Sequence, residues 1–351
     1  MIYPLALIAV FFSVILGATV VSADGVDVIF ESGFGHLDDI DIRHEARDVE
    51  VKGDYIYAIN GEGYFQIIDI SNLKSPELVG DYDTGGKAGN FEVLDDYAYL
   101  VYSEVFGNAS LNSIDISDPS SPTHAGSYDI NLPADDAGVR GIELSDGYLY
   151  LITYNGLVIL DVNNLQSPVL VGRYDTLPAP DVAVEGDHAY IVHGTDSFWI
   201  VNISDPSSPD HVGTYDTIDH AGSIDVSDGY AYVTTDDDSL KVIDVNNPSS
   251  PTIVGSCNNV GSMPGVVVKG GYAYLNCLNL LSIIDISNPS SPTVVGSSAT
   301  ETFSFHIATE DNIVCQTDEY HGFIIYRIEK STTNSNEVKN RHSTEPIFDY
   351  Y

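Results

Sequence analysis

Two arginines fall at the same place in the first and third copies of a repeating pattern, Arg47 before Asp48 and Arg140 before Gly141. The chain has only six arginines and a formal net charge of −39, so a shared position is an enrichment. Lys87, Asn90, Asp181 and His220 occupy corresponding linkers. Arg47, Arg140 and Lys87 converging on one opening would bind a carboxylate, a sulfate or a sugar acid, groups that a guanidinium grips with paired N–H donors. The competing reading pairs them with Asp48, Asp181 and Glu45 and closes that opening.

A second group of acids recurs as Asp69, Asp115, Asp161, Asp244 and Asp285, with Asn202 in the same register. One acid per repeat keeps them too far apart to share an ion, so they read as turn caps that accept hydrogen bonds from nearby backbone. Asp236, Asp237 and Asp238 with loop carbonyls make a candidate Ca²⁺ site. They lack the alternation of an Asp-x-Asp-x-Asp-Gly loop, which also reads as a solvated acidic tip. Catalytic patterns are missing: there is no G-x-S-x-G, H-E-x-x-H or Walker loop. No catalytic residue and no required cofactor is assigned. His306, within a predicted strand, reads as a partnered inner histidine rather than a base. Cys257, Cys277 and Cys315 are too few for a disulfide framework and read as buried apolar residues. Two sequons occur at Asn108 and Asn202; Asn202 holds the repeat's buried cap position, leaving Asn108 as the glycosylation candidate.

The elements that position these residues come in copies. Ile283-Ile284-Asp285-Ile286-Ser287-Asn288-Pro289-Ser290-Ser291-Pro292-Thr293-Val294-Val295-Gly296 is an apolar run, a two-proline turn and a second apolar run, hence two antiparallel strands. Marks at positions 69, 115, 161, 202, 244, 285 and 326 are spaced 46, 46, 41, 42, 41 and 41 residues apart. Such a period in strand-rich sequence predicts propeller blades. Each unit reads as a short strand after a linker, a Tyr-x-Tyr strand, an uninterrupted apolar strand and a polar outer strand. The seventh unit has no Ser-Pro outer strand, while Val26–Phe30 stands unpartnered at the other end. That segment is predicted to complete the last blade, giving an all-β, seven-bladed β-propeller of four-stranded antiparallel blades closed by an N-terminal strand.

Ser113-Ile114-Asp115-Ile116-Ser117-Asp118-Pro119-Ser120-Ser121-Pro122-Thr123, recurring near every 42 residues, resembles the LVIVD repeat of secreted and surface proteins of bacteria and archaea. The likeness spans roughly 26–328, with Tyr326 replacing the Asp in the last unit. It implies a β-propeller outside the cell and carries no established activity or catalytic residue.

Residues 1–23 read as a secretory signal, with Val21-Ser22-Ala23 before a cleavage point, or as an uncleaved anchor over Leu5–Val21. Residues 24–330 form the propeller, and 331–351 a polar, disordered tail. So acidic a chain is a poor partner for nucleic acid. No membrane insertion is expected beyond the N-terminal segment. Self-repulsion of this size is screened by salt, which suits a saline habitat as well as a generally acidic exported protein. The expected function is that of a monomeric, non-catalytic recognition or adhesion module, secreted or on the cell surface, whose loop face meets a surface protein or glycan. The alternative is a secreted polysaccharide hydrolase or lyase with its site at the channel mouth.

Overall fold

The structure is a computed structural model. It describes residues 19–21, 26–34 and 46–330, leaving out 86–87, 104–108, 131, 133–137, 165–166, 176–177, 194–196, 217–219, 262–264, 278–279, 300–303, 305 and 319–321. Lys87, Asn108, His44, Glu45 and the 331–351 tail therefore lie outside the described residues, as does most of the apolar leader.

Six sheets are four-stranded meanders, blades 1 to 6, over 46–83, 88–129, 139–175, 182–216, 221–258 and 265–299. The seventh combines Ile307–Glu310, Ile313–Asp318 and Gly322–Lys330 with Val26–Phe34 from the chain's other end. Thr19–Val21 adds a fifth strand outside it, a pairing absent from the sequence-based expectation. The first strands contact one another around a closed ring, including Ile307–Glu310 of blade 7 against Ala46–Lys52 of blade 1. No helix is found among the described residues.

Local chemistry explains each blade. The turn between first and second strands needs a left-handed backbone, and it carries Gly53, Asp95, Asp146, Gly186, Asp228, Gly270 and Asp311 there, one per blade. The repeated acids cap the following turn. Asp69 Oδ1 accepts from Ser71 N (2.8 Å), Asp115 Oδ1 from Ser117 N (3.0 Å) and Asp285 Oδ1 from Ser287 N (2.8 Å). Asn202 makes the same cap to Ser204 N at 3.0 Å and is half-exposed rather than buried, because this turn lies at the blade's rim.

Packing is between blades. Tyr57, Ile59, Phe65 and Ile67 of blade 1 join Phe91, Leu100 and Ile114 of blade 2 in one cluster, and seams of this kind recur around the ring. Third strands are buried on both faces, as in Gly156–Asp161. Glycine in the fourth strand has a specific duty. A Cβ on Gly80, Gly172, Gly213 or Gly255 would stand 1.9–2.2 Å from the carbonyl oxygen of Pro119, Pro206, Pro248 or Pro289 in the next blade's turn. The turn of one blade thus seats in the glycine gap of its neighbour. Cys257, Cys277 and Cys315 are buried and unbridged.

Candidate functional site

Where the chain enters each first strand, equivalent positions converge on the central channel. They are Asp48, Asn90, Gly141, Asp181, Ser223, Gly265 and His306, matched through their pairing with the second strands. In the last blade this register falls at His306, whose carbonyl accepts from Thr317 N. These residues line a cavity of about 770 Å³.

The upper layer fastens each blade to the next. Asp48 Oδ2 accepts from Phe91 N at 3.0 Å, and Asp181 Oδ2 from Ile224 N at 3.0 Å and Ser223 Oγ at 2.7 Å. Ser223 Oγ in turn accepts from Val266 N at 3.3 Å. His306 Nδ1 meets Asp48 Oδ1 at 3.1 Å across the closing seam. The reading in which Arg47 and Arg140 pair with Asp48 and Asp181 is therefore corrected: neighbouring blades already hold both carboxylates.

Asn90, Arg140 and Asp181 join Asp48 around the cavity, whereas Arg47 and His220 stand outside its lining. Both arginines lie over the second-to-third-strand turn of their own blade. The Arg47 guanidinium rests against Gly61, where a Cβ would come within 3.3 Å of Nε. Arg140 Cζ sits 5.5 Å over the ring of exposed Tyr154, within cation–π range. Asp237 is engaged internally by Thr235 Oγ1 (2.6 Å), Ser239 Oγ (2.5 Å) and Lys241 Nζ (3.0 Å). Partial burial opposes, but these donors hold its carboxyl well below the usual range. Asp236 and Asp238 flank it, exposed. Among the described residues no group of three His, Cys, Asp or Glu side chains is arranged to hold a metal ion.

Sequence reasoning missed the layer beneath. Two residues further along the first strands stand Glu50, Glu92, Glu143 and Asp225, in register with Ala183, Val267 and Ala308. Burial pushes Glu50 up to about 7, against a hydrogen bond shared with Glu92. Burial, with the charges of Glu50 and Glu143, drives Glu92 well above the carboxylate range, so this pair holds a proton. Asp225 reaches about 7 through burial, although it accepts from Val268 N and Val226 N at 2.6 Å each. Glu143 is raised by burial and then by Asp225, Asp181 and Glu50. A signal existed: an acid two residues after the linker in four of seven units.

The seam between blades 6 and 7 is polar on both sides at one level, where blades 5 and 7 carry Thr234 and Thr317. At the level just behind the channel wall, Ile59 faces Leu100, Val101 faces Leu151, Ile152 faces Ile191 and Val192 faces Val233. Strand alternation puts Asn276 and Gln316 in the equivalent places. Asn276 Nδ2 donates to Ser304 Oγ at 3.1 Å, but Asn276 Oδ1 and both amide atoms of Gln316 are buried without partners.

A family model for the LVIVD repeat matches residues 44–84, 85–130, 138–176, 178–217, 219–259 and 260–300. No curated protein matches the chain. Among solved structures, the WD40 β-propeller domain of Doa1 aligns with a TM-score of 0.66 at 11% identity, over 87% of this chain and 97% of that one. The computationally designed protein Ika8 aligns with a TM-score of 0.58 at 8% identity, over 84% and 100%. At such identities the likeness concerns the fold alone. Six consecutive matches covering most of a seven-bladed ring place this chain in the LVIVD-repeat family.

Proposed function

We propose that the protein is an exported, non-catalytic recognition or adhesion propeller that presents its channel mouth to a surface protein or glycan. The observation that carries this reading is convergence: one linker position from each blade borders a single cavity of about 770 Å³, within the range of small-molecule sites. Arg140 over Tyr154 adds a rigid cationic and aromatic platform on the same rim. The apolar N-terminal segment with its small-residue cleavage pattern supports export. A screen of glycans and surface proteins with wild type and Tyr154→Ala tests it. Binding lost in the variant with an unchanged melting temperature is expected; no binding that depends on the rim would defeat the reading. Fractionation of cells expressing the full chain tests export, and retention inside the cell would remove that part.

The alternative, a hydrolase or lyase acting on polysaccharide, draws on the proton-sharing Glu50–Glu92 pair, since opposed carboxyl environments are what acid–base catalysis uses. Direct hydrogen bonding between them argues against it, because a retaining glycosidase keeps its carboxyls roughly 5 Å apart with the sugar between. Turnover of a polysaccharide abolished by Glu92→Gln in a folded protein would reverse the order of the two readings.

A further inference from the structure

Blade 4 departs from the other LVIVD units in the chemistry of its turn cap. Asp69, Asp115, Asp161, Asp244 and Asp285 hold this position in blades 1, 2, 3, 5 and 6, and blade 4 has Asn202. The cap needs only an acceptor, and Asn202 Oδ1 supplies it to Ser204 N at 3.0 Å and to Ser204 Oγ at 2.7 Å. The amide adds a donor that the turn does not use. Among the described residues no acceptor engages Asn202 Nδ2, and this nitrogen is not a buried atom.

Asn202, Ile203 and Ser204 form the Asn-x-Ser acceptor pattern for N-linked sugar. Burial would bar a glycan, but Asn202 is half-exposed, and Ser204, Asp205, Ser207 and Ser208 beside it are exposed while Ile203 turns inward. The corresponding turns of blades 5 and 6 expose Asn247 and Asn288, each followed by a proline that breaks the pattern. Asn202 pairs with His188, and His188 with Glu185, at the end of the first strand remote from Asp181. It therefore stands on the face opposite the channel mouth, where a bulky group leaves the cavity open.

We infer that Asn202 carries an N-linked glycan, held on the face away from the mouth. This rests on the export part of the reading above and adds a modification to it. The sugar comes from a lipid-linked phosphate donor, as the chain crosses the membrane and before it folds. The Nδ2–C1 bond forms, the C1–O bond breaks with its electron pair leaving on the phosphate, and Nδ2 gives up one proton. In the folded ring Oδ1 still caps Ser204, so the modified residue keeps its structural duty.

The full chain recovered outside cells that N-glycosylate exported proteins, analysed by intact mass and by glycopeptide mapping, tests the inference. A sugar mass increment on the peptide containing Asn202 is expected, with Asn247 and Asn288 bare as internal controls. Asn202→Asp should abolish that increment at an unchanged melting temperature of the enzymatically deglycosylated proteins, since five blades use aspartate in the same cap. Ser204→Ala should also abolish it, and Ser204→Thr should retain it, so the result does not depend on one variant folding. Exported protein with a bare Asn202 overturns the inference and leaves the export reading standing. Retention inside the cell with a bare Asn202 overturns both. A glycan that survives Asn202→Asp unchanged lies at another residue, Asn108 above all, and also overturns the inference.

Discussion

His306 Nδ1 lies 3.1 Å from Asp48 Oδ1, joining the last blade to the first. Between blades 1 and 2 and between blades 4 and 5, an aspartate in this layer reaches the next blade through a backbone amide. At the junction where the ring closes, the incoming partner is a titratable imidazole ring, so closure carries a histidine pH dependence of its own.

Burial works to lower the His306 pKa, but the charge and hydrogen bond of Asp48, with Asp181, leave it raised. A raised folded pKa means stability that is full below the unfolded value near 6.5 and is lost as pH rises through the folded one. His306→Asn should abolish that component, so wild type and variant melting temperatures differ most below pH 6.5 and converge as pH rises through the raised folded value. Parallel curves across that window would show that the pair contributes nothing. The side chain is 39% exposed, so the effect is modest.

Glu50 and Asp225, both near 7, and Glu92 and Glu143, raised well above the ordinary carboxylate value by burial, act in the same direction. The native state holds protons on them that the unfolded chain releases near 4.3, so stability falls as pH rises from about 5 to 8. Glu143→Gln should flatten this fall in a series of melting curves. A wild-type curve that rises over the same range would contradict the assigned environments.

Gly172→Ala drives a methyl group into the Pro206 carbonyl of the next blade. Overpacking of this kind costs about 1–3 kcal/mol, read as a lower denaturation midpoint at unchanged slope. An unchanged midpoint would mean the turn can lift away without penalty.

Gln316→Leu replaces an amide with two open hydrogen-bonding atoms by the kind of residue found in the equivalent place as Leu100 and Leu151. It should stabilise the protein by about 1–3 kcal/mol in chemical denaturation. Destabilisation instead would reveal a partner for the amide, an ordered water above all.

Removing 26–34 uncovers the full length of Gly322–Lys330 as an edge strand. The truncated chain should melt earlier and associate through that edge, seen as concentration-dependent light scattering. A monomer melting with the wild type would show that blade 7 needs no fourth strand.

Much of the architecture was readable because repetition makes it redundant. Six good copies and one decayed copy forecast seven blades, and the missing outer strand of the last copy identified Val26–Phe30, observed as Val26–Phe34, as its replacement. The acids at positions 69, 115 and 285 were readable as caps because their partners lie two residues away. What depends on the neighbouring blade was not readable. The seating of Pro206 on Gly172 and the bond from Phe91 to Asp48 join residues 34 and 43 positions apart, with no local trace. The acidic wall was hidden because Glu50 and Asp225 alternate with apolar residues like any half-exposed strand position. The arginines misled because sequence places a Cα at the mouth but does not say which way a long side chain folds; Arg140 folds onto Tyr154.

The pairing of Phe34 with Phe323 spans 289 positions of the chain. The first blade-forming segment to leave the ribosome is thus the last to find its mate, and six sheets can assemble before the circle is sealed. Folding should end in one slow, late step governed by that long closure, and any pause in synthesis before Gly322 leaves an open crescent with a lone strand in search of a partner.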